Sequence, residues 1–225
     1  SGQVVMVTGA SRGIGREIAR RFADSGARVV VHFHNNRQAA EQTLASLPGN
    51  SHMMVSADLA DTDAVGNMAE TAINEMGRID ILVNNADVYE FHPVATTAFE
   101  DWQRSWEKTI FTNLLGPAHL SFHVIRHMMK SGGGKIINIT SRGAFRGEPD
   151  APAYGASKAG VIQLDRHLGD SLAWEGIQIN TISPGDFPSD LNTVARDHTD
   201  EMKKVIPAKR IGEKDNIAGA AIFLA

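Results

Sequence analysis

Short runs of Val and Ile alternate along the chain with longer stretches in which apolar residues recur at helical spacing. This pattern predicts repeated β-α units building a parallel sheet. Strands are predicted near residues 4–8, 29–33, 53–56, 79–83, 135–140 and 178–182. The runs Val29-Val30-Val31 and Ile136-Ile137 are continuously apolar, as strands covered on both faces require, where one-sided strands would alternate. Punctuation agrees: Asp61 is a cap for a helix ending at Gly77, and Arg126, His127 and Lys130 precede the stop signal Ser131-Gly132-Gly133-Gly134. Residues 217–225 read as a further helix. Neither an internal repeat nor a linker interrupts the series, so one domain spanning residues 1–225 is expected.

Composition narrows the class without changing it. The 225 residues are 42% hydrophobic and 21% charged, the balance of a globular protein, and the formal charge of −4 supplies no net pull toward nucleic acid or an anionic membrane. Cysteine is absent, which removes disulfides, thiolate metal sites and cysteine nucleophiles, and suits a cytoplasmic location. No apolar run approaches the roughly 20 residues of a membrane span, and the start has no charged segment followed by an apolar one.

Chemistry first shows at the end of the first strand, in Thr8-Gly9-Ala10-Ser11-Arg12-Gly13-Ile14-Gly15. A strand, a glycine turn and a helix N-terminus bring backbone N–H groups and the positive helix end against a pyrophosphate. The spacing is G-x-x-x-G-x-G, a relative of the G-x-G-x-x-G dinucleotide fingerprint. An acid at the end of the second strand would hold a ribose 2′-OH and repel a 2′-phosphate. This chain has His32-Phe33-His34-Asn35-Asn36-Arg37 instead. Arg12 and Arg37 are candidate phosphate partners, with His34 and Asn35 as hydrogen-bond donors, which favours NADP(H) over NAD(H). Taken alone, Arg37 reads as a solvated residue in the first turn of a helix.

Tyr154-Gly155-Ala156-Ser157-Lys158 places a phenol and an ammonium four residues apart on one helix face. A neighbouring positive charge favours the phenolate and brings tyrosine toward acid-base use, although isolated Y-x-x-x-K strings are common on solvated helices. Ser141 closes the strand at 135–140, Asn84-Asn85-Ala86 closes another, and Pro184-Gly185 follows the sixth. Four strand ends thus converge on the carboxyl edge, where open α/β sheets bind ligands.

With these residues in place the chain resembles the short-chain dehydrogenase/reductase family, in its compact single-domain branch. The resemblance rests on Thr8 through Gly15, Asp58-Leu59, Asn84-Asn85-Ala86, Asn113, Ser141, Tyr154 with Lys158, and Pro184-Gly185, in family order and near family spacing. It implies a three-layer, doubly wound, Rossmann-like parallel sheet. It also implies that Gly9, Ser11, Arg12, Gly13, Ile14 and Gly15 carry the cofactor phosphates. Asp58 beside Leu59 would contact adenine, and Asn84, Asn85 and Ala86 the adenosine-ribose side. Tyr154 would protonate a carbonyl oxygen that Ser141 orients. Lys158 would hold the nicotinamide ribose and lower the tyrosine pKa, and Asn113 at a helix break would support a water relay to Lys158. The backbone of Ile182, Pro184-Gly185 and the hydroxyl of Ser189 would grip the carboxamide. A homodimer or homotetramer is expected, as is a final strand beyond Ala225 in family members.

One position departs from the family turn N-N-A-G: Asp87 stands where glycine is usual. The expected function is hydride transfer between NADP(H) and a small-molecule carbonyl or secondary alcohol. The alternative is a catalytically silent dinucleotide-binding regulator. An epimerase or dehydratase of the longer related branch fits the glycine spacing less well. Residues 88–92, Arg142, Phe145, Arg146 and a covering segment at 186–210 are expected to shape the substrate pocket. His119, His123 and His127 recur every four residues, and we read them as a partner-facing or solvated stripe, not as a metal site. Trp102, Trp106 and Trp174 read as core or interface residues.

Overall fold

Alternate residues of each strand divide between two apolar layers, which fixes the architecture. The computed structural model describes residues 2–187 and 199–225. Six parallel strands are present: β1 (Val4–Val7), β2 (Arg28–Phe33), β3 (Met53–Ser56), β4 (Ile81–Asn84), β5 (Gly134–Ile139) and β6 (Ile177–Ile182). Their order in the sheet is β3-β2-β1-β4-β5-β6. The α-helices among the described residues are α1 (Gly13–Asp24), α2 (Arg37–Ser46), α3 (Thr62–Met76), α4 (Phe99–Ile110), α5 (Gly116–Ser131), α6 (Pro152–Leu172), α7 (Thr199–Val205) and α8 (Lys214–Leu224), with a π-helical turn at Phe111–Leu115 between α4 and α5 and short 3-10 turns at Arg142–Ala144 and Ala173–Glu175.

On one face Val5, Val7, Val29, Val31, Ile81, Val83 and Ile137 pack with Ile18 and Phe22 of α1 and Ile217 and Ala221 of α8. On the other, Val4, Met6, Val30, Leu82 and Ile136 meet Val65 and Met68 of α3 and Leu120, Val124 and Met128 of α5. Strand residues i and i+1 point to opposite faces, so a strand such as Val4–Val7 serves both cores only by being apolar throughout, and all four of its residues are fully buried. The three-layer doubly wound sheet is therefore as predicted.

The direction in which successive strands are added reverses between β1 and β4, which pair directly in parallel through Val5 with Ile81 and Val7 with Val83. The crevice at the carboxyl ends of these two strands is the topological switch point, where ligands of open α/β sheets bind. Element boundaries differ slightly from expectation. β4 begins at Ile81, not at 79, and takes in Asn84; β5 stops at Ile139, leaving Thr140 and Ser141 to turn out of the sheet. Asp61 does cap α3, accepting from the amides of Asp63 and Ala64 at 3.0 Å each, and Gly77 ends that helix.

Part of the histidine stripe meets α3. His119, His123 and His127 are half-buried on α5, with His119 Nδ1 3.5 Å from Thr62 Oγ1 and the His123 ring against Gly66 of α3. Gly66 lacks the side chain that would hold the two helices apart, so His123 packs against α3 while all three histidines stay partly exposed. Trp102 and Trp106 pack together, with ring centroids 5.9 Å apart, whereas Trp174 is 92% exposed and no part of the core.

Candidate active site

A cleft of about 730 Å³ opens at the switch point. Its lining includes Gly9, Ser11, Arg12, Gly13 and Ile14 from the glycine turn, His34 and Asn35 after β2, Asp58 and Leu59 after β3, and Asn85, Ala86 and Asp87 after β4. Two glycines are required by contact. A Cβ on Gly9, whose φ is +63°, would lie 2.9 Å from Ala86 Cα, and one on Gly15 would lie 2.5 Å from Asn85 Nδ2 and from the Gly9 carbonyl oxygen. The turn is thus pressed against the end of β4, and Gly13 and Ile14 at the N-terminus of α1 line the cleft. No acidic residue occupies the first turn of α1, and the Arg12 side chain does not cap it.

Thr8 and Asn85 lock the two turns together. Thr8 Oγ1 accepts from the amides of Asn85 at 2.9 Å and Ala86 at 3.0 Å, and Asn85 Nδ2 donates to the Thr8 carbonyl at 2.9 Å. Asn84 takes no part in this cleft. As the last residue of β4 it points the other way, buried, donating to Asn138 Oδ1 at 2.7 Å and Ser121 Oγ at 3.2 Å. The expected ribose contact from Asn84 is therefore withdrawn, because strand alternation sends its side chain beneath the sheet.

Sequence reasoning passed over His32, which is 1% exposed. Its Nδ1 accepts from the Gly9 amide at 3.1 Å while Nε2 lies 3.1 Å from the Ala57 carbonyl, so the neutral Nε2–H tautomer satisfies both. Burial, the largest cause, lowers its pKa from 6.5 to about 4. A polar residue within an apolar strand was the available signal.

On the rim, His34 Nε2 is 3.7 Å from Asp58 Oδ2. Arg37 does not line the cleft. Its guanidinium lies 3.4 Å from Glu41 Oε1 and 6.0 Å from the Phe33 ring centroid, so the expected phosphate contact gives way to the reading of a solvated first-turn residue. Arg16, Lys108, Thr112 and Lys214 also line the cleft. Arg16 is held there by Thr43 Oγ1 at 2.8 Å and the Ser11 carbonyl. Nothing in the sequence singled these four out, because their helical spacing only marks exposed faces.

Tyr154 and Lys158 lie on one face of α6, and both meet the carboxylate of Asp87. Tyr154 donates from its hydroxyl to Asp87 Oδ2 at 3.1 Å, and Lys158 Nζ is 2.9 Å from the same oxygen. Lys158, 3% exposed, also donates to the Ile139 carbonyl at 3.1 Å. Ser141 accepts from the Gly143 amide at 3.1 Å, and its hydroxyl lies near enough to Tyr154 to favour the phenolate. Lys158 does not set the direction in which the tyrosine pKa moves. Burial first, then the charge and hydrogen bond of Asp87, raise it well above 10, and Ser141 opposes them only in part.

Asn113 sits in the π-helical turn as expected of a helix break, and its side chain clamps Val88: Oδ1 accepts from the Val88 amide and Nδ2 donates to the Val88 carbonyl, both at 2.9 Å. His92, also unforeseen, anchors the same segment. It is fully buried and its Nε2 accepts from the Ala153 amide in the first turn of α6 at 3.3 Å. The Ile182 carbonyl accepts from the Thr140 amide at 2.8 Å, and the Pro184 carbonyl from the Arg142 amide at 3.1 Å, so Pro184-Gly185 closes beside Ser141. Ser189 and much of the expected covering segment lie outside the described residues. Among the described residues, no group of three His, Cys, Asp or Glu side chains is placed to hold a metal ion.

The family model for short chain dehydrogenase matches residues 3–200. The chain belongs to the short-chain dehydrogenase family. That family is one of oxidoreductases, and its curated relatives match nearly the whole of this chain. The D-threitol dehydrogenase of Mycolicibacterium smegmatis is 37% identical over 228 residues, covering 100% of this chain and 86% of that protein. The 3-oxoacyl-acyl-carrier-protein reductase FabG of Staphylococcus epidermidis is 35% identical over 223 residues, covering 98% and 90%.

Solved structures agree. Gluconate 5-dehydrogenase from Burkholderia cenocepacia in complex with NADP and tartrate superposes with a TM-score of 0.91 at 34% identity, covering 100% of this chain and 88% of the other. A variant of actinorhodin polyketide ketoreductase with NADPH gives 0.90 at 29%, covering 99% and 90%. No described helix is long and apolar enough to cross a membrane.

Proposed function

We propose that this short-chain dehydrogenase transfers hydride between NADP(H) and a carbonyl or secondary alcohol, as one domain and as a homodimer or homotetramer. The observation that carries the reading is the meeting of Tyr154, Ser141 and Lys158 at the carboxyl edge beside a glycine-turn cleft. The cleft suits a dinucleotide: Gly9 and Gly15 leave no room for side chains, the N-terminus of α1 lines it, and Arg12, Arg16 and Lys214 add positive charge. The absence of an acid after β2, with Arg12 in the lining, supports NADP(H) over NAD(H), as do the ligands of the two structural neighbours.

When bound, the cofactor supplies the hydride; the chain supplies position and a proton. Tyr154 gives its hydroxyl proton to the carbonyl oxygen while Ser141 polarises that oxygen by a hydrogen bond. The rival reading is a silent dinucleotide-binding regulator, which the Asp87–Lys158 ion pair favours because it engages the lysine expected to meet the ribose. Oxidation of NADPH with 3-oxoacyl thioesters, sugars, pterins and quinones separates the two readings. Tyr154→Phe is expected to abolish turnover and to leave NADPH binding in place. Substantial residual reductase activity in that variant would remove Tyr154 from its role.

A further inference from the structure

Asp87 belongs both to the cleft lining and to the proton-handling cluster. A lone ammonium beside a phenol would favour the phenolate. Here Lys158 Nζ is 2.9 Å from Asp87 Oδ2, so the carboxylate matches its charge directly. The same oxygen takes the tyrosine hydrogen at 3.1 Å. Removing that proton would set a phenolate against a carboxylate with no hydrogen between them. The other groups facing Tyr154 do not reverse this. Glu148 adds a second negative charge, Tyr89 presents a ring edge at 5.1 Å, and Ser141 alone among them stabilises the phenolate.

We propose that Asp87 is a positioning residue that neutralises Lys158 and holds the Tyr154 hydroxyl as a proton donor, adapting the site to carbonyl reduction at neutral pH. The proposal rests on the hydride-transfer reading above. In reduction the carbonyl carbon gains hydride from the reduced nicotinamide, which is oxidised. The carbonyl π electrons move to oxygen, and that oxygen takes the Tyr154 proton, leaving a phenolate that solvent reprotonates. Alcohol oxidation runs backwards and must begin from the phenolate. Asp87 leaves the equilibrium untouched. It changes the pH at which each direction proceeds, so reduction persists into alkaline solution and oxidation reaches its plateau only there.

The test uses Asp87→Asn, which keeps shape and removes charge, and Asp87→Gly as a second variant. Tyr89 and Tyr154 are the two tyrosines of the chain. Tyrosinate absorbance of the ligand-free protein in a Tyr89→Phe background therefore reports Tyr154. Both Asp87 variants are expected to lower its ionisation midpoint by about one pH unit or more, a tenfold gain in phenolate at a given pH. The pH profile of kcat/KM for alcohol oxidation should move by the same amount. An unmoved midpoint and profile, in an enzyme that turns over and is silenced by Tyr154→Phe, overturn the role of Asp87 alone. A moved midpoint in a chain that turns over no carbonyl or alcohol overturns the hydride-transfer reading, and the reductive role with it.

Discussion

Protonating His32 should loosen the glycine turn and the fold together, and the size of the effect follows from its surroundings. In the folded chain the imidazole is neutral, with Nδ1 accepting from Gly9 and Nε2 at the Ala57 carbonyl. A second ring proton would have to sit on Nδ1, facing the Gly9 N–H. With burial as the main cause, the folded pKa is about 4 against 6.5 for the free side chain. The folded state therefore binds fewer protons, and the stability contribution is present above 6.5 and lost as pH falls through 4. Between about pH 7.5 and about pH 4.5 the loss comes to about 2.5 kcal/mol, a large share of a typical stability of about 5–15 kcal/mol. Urea unfolding followed by tryptophan fluorescence at the two pH values, for the wild type and His32→Asn, measures it. The asparagine amide does not titrate, and all other groups cancel in the comparison. The variant should lose about 2.5 kcal/mol less than the wild type across the interval. Equal losses in the two proteins would refute both the neutral tautomer and the argument from burial.

Asp165 is expected to act in the opposite sense. Its carboxylate, 6% exposed, accepts from Asn138 Nδ2 at 2.6 Å and from Thr181 Oγ1, yet burial raises its pKa from 3.8 to about 6. Its contribution is thus fully present below 3.8 and lost as pH rises through about 6, by up to about 3 kcal/mol. Asp165→Asn should remove that dependence, and denaturation curves from acid to neutral pH with unchanged slope would count against it. Arg12→Ala should raise the KM for NADPH about tenfold, about 1.4 kcal/mol, and leave that for NADH nearly unchanged. Equal effects on both cofactors would place the 2′-phosphate elsewhere.

What could be read from the sequence was whatever depends on local pattern. Continuous apolar runs announce strands buried on both faces, and β1 to β6 lie within two residues of their expected bounds. The glycine turn was legible because Gly9 and Gly15 answer to a contact any side chain would break. Tyr154, Lys158 and Ser141 were legible because helix spacing and strand ends place them. Residues joined across the fold were not. His32 reaches Gly9 only through strand pairing, and Arg37 turns to Glu41 because helical spacing offers a nearer partner than the cleft. Asp87 was visible as an odd residue in a turn. That its carboxylate would meet both Tyr154 and Lys158 depended on the tertiary placement of α6 beside the turn after β4.

The stretch from Asn85 to His92 explains why that carboxylate is a fixed charge. Asn85 and Ala86 are tied to Thr8, Val88 is held on both backbone groups by Asn113, and His92 accepts from the first turn of α6. Asp87 lies between the first two anchors, one residue from each, so its backbone has little freedom to carry the side chain away. The cofactor cradle, the π-helical turn and the tyrosine helix are thus referenced to a single segment. Changes at Thr8 or Asn113, which hold the residues on either side of Asp87, should therefore reach the protonation of Tyr154 through the placement of Asp87. A site built this way ties proton donation to the integrity of the turn that would bind the cofactor.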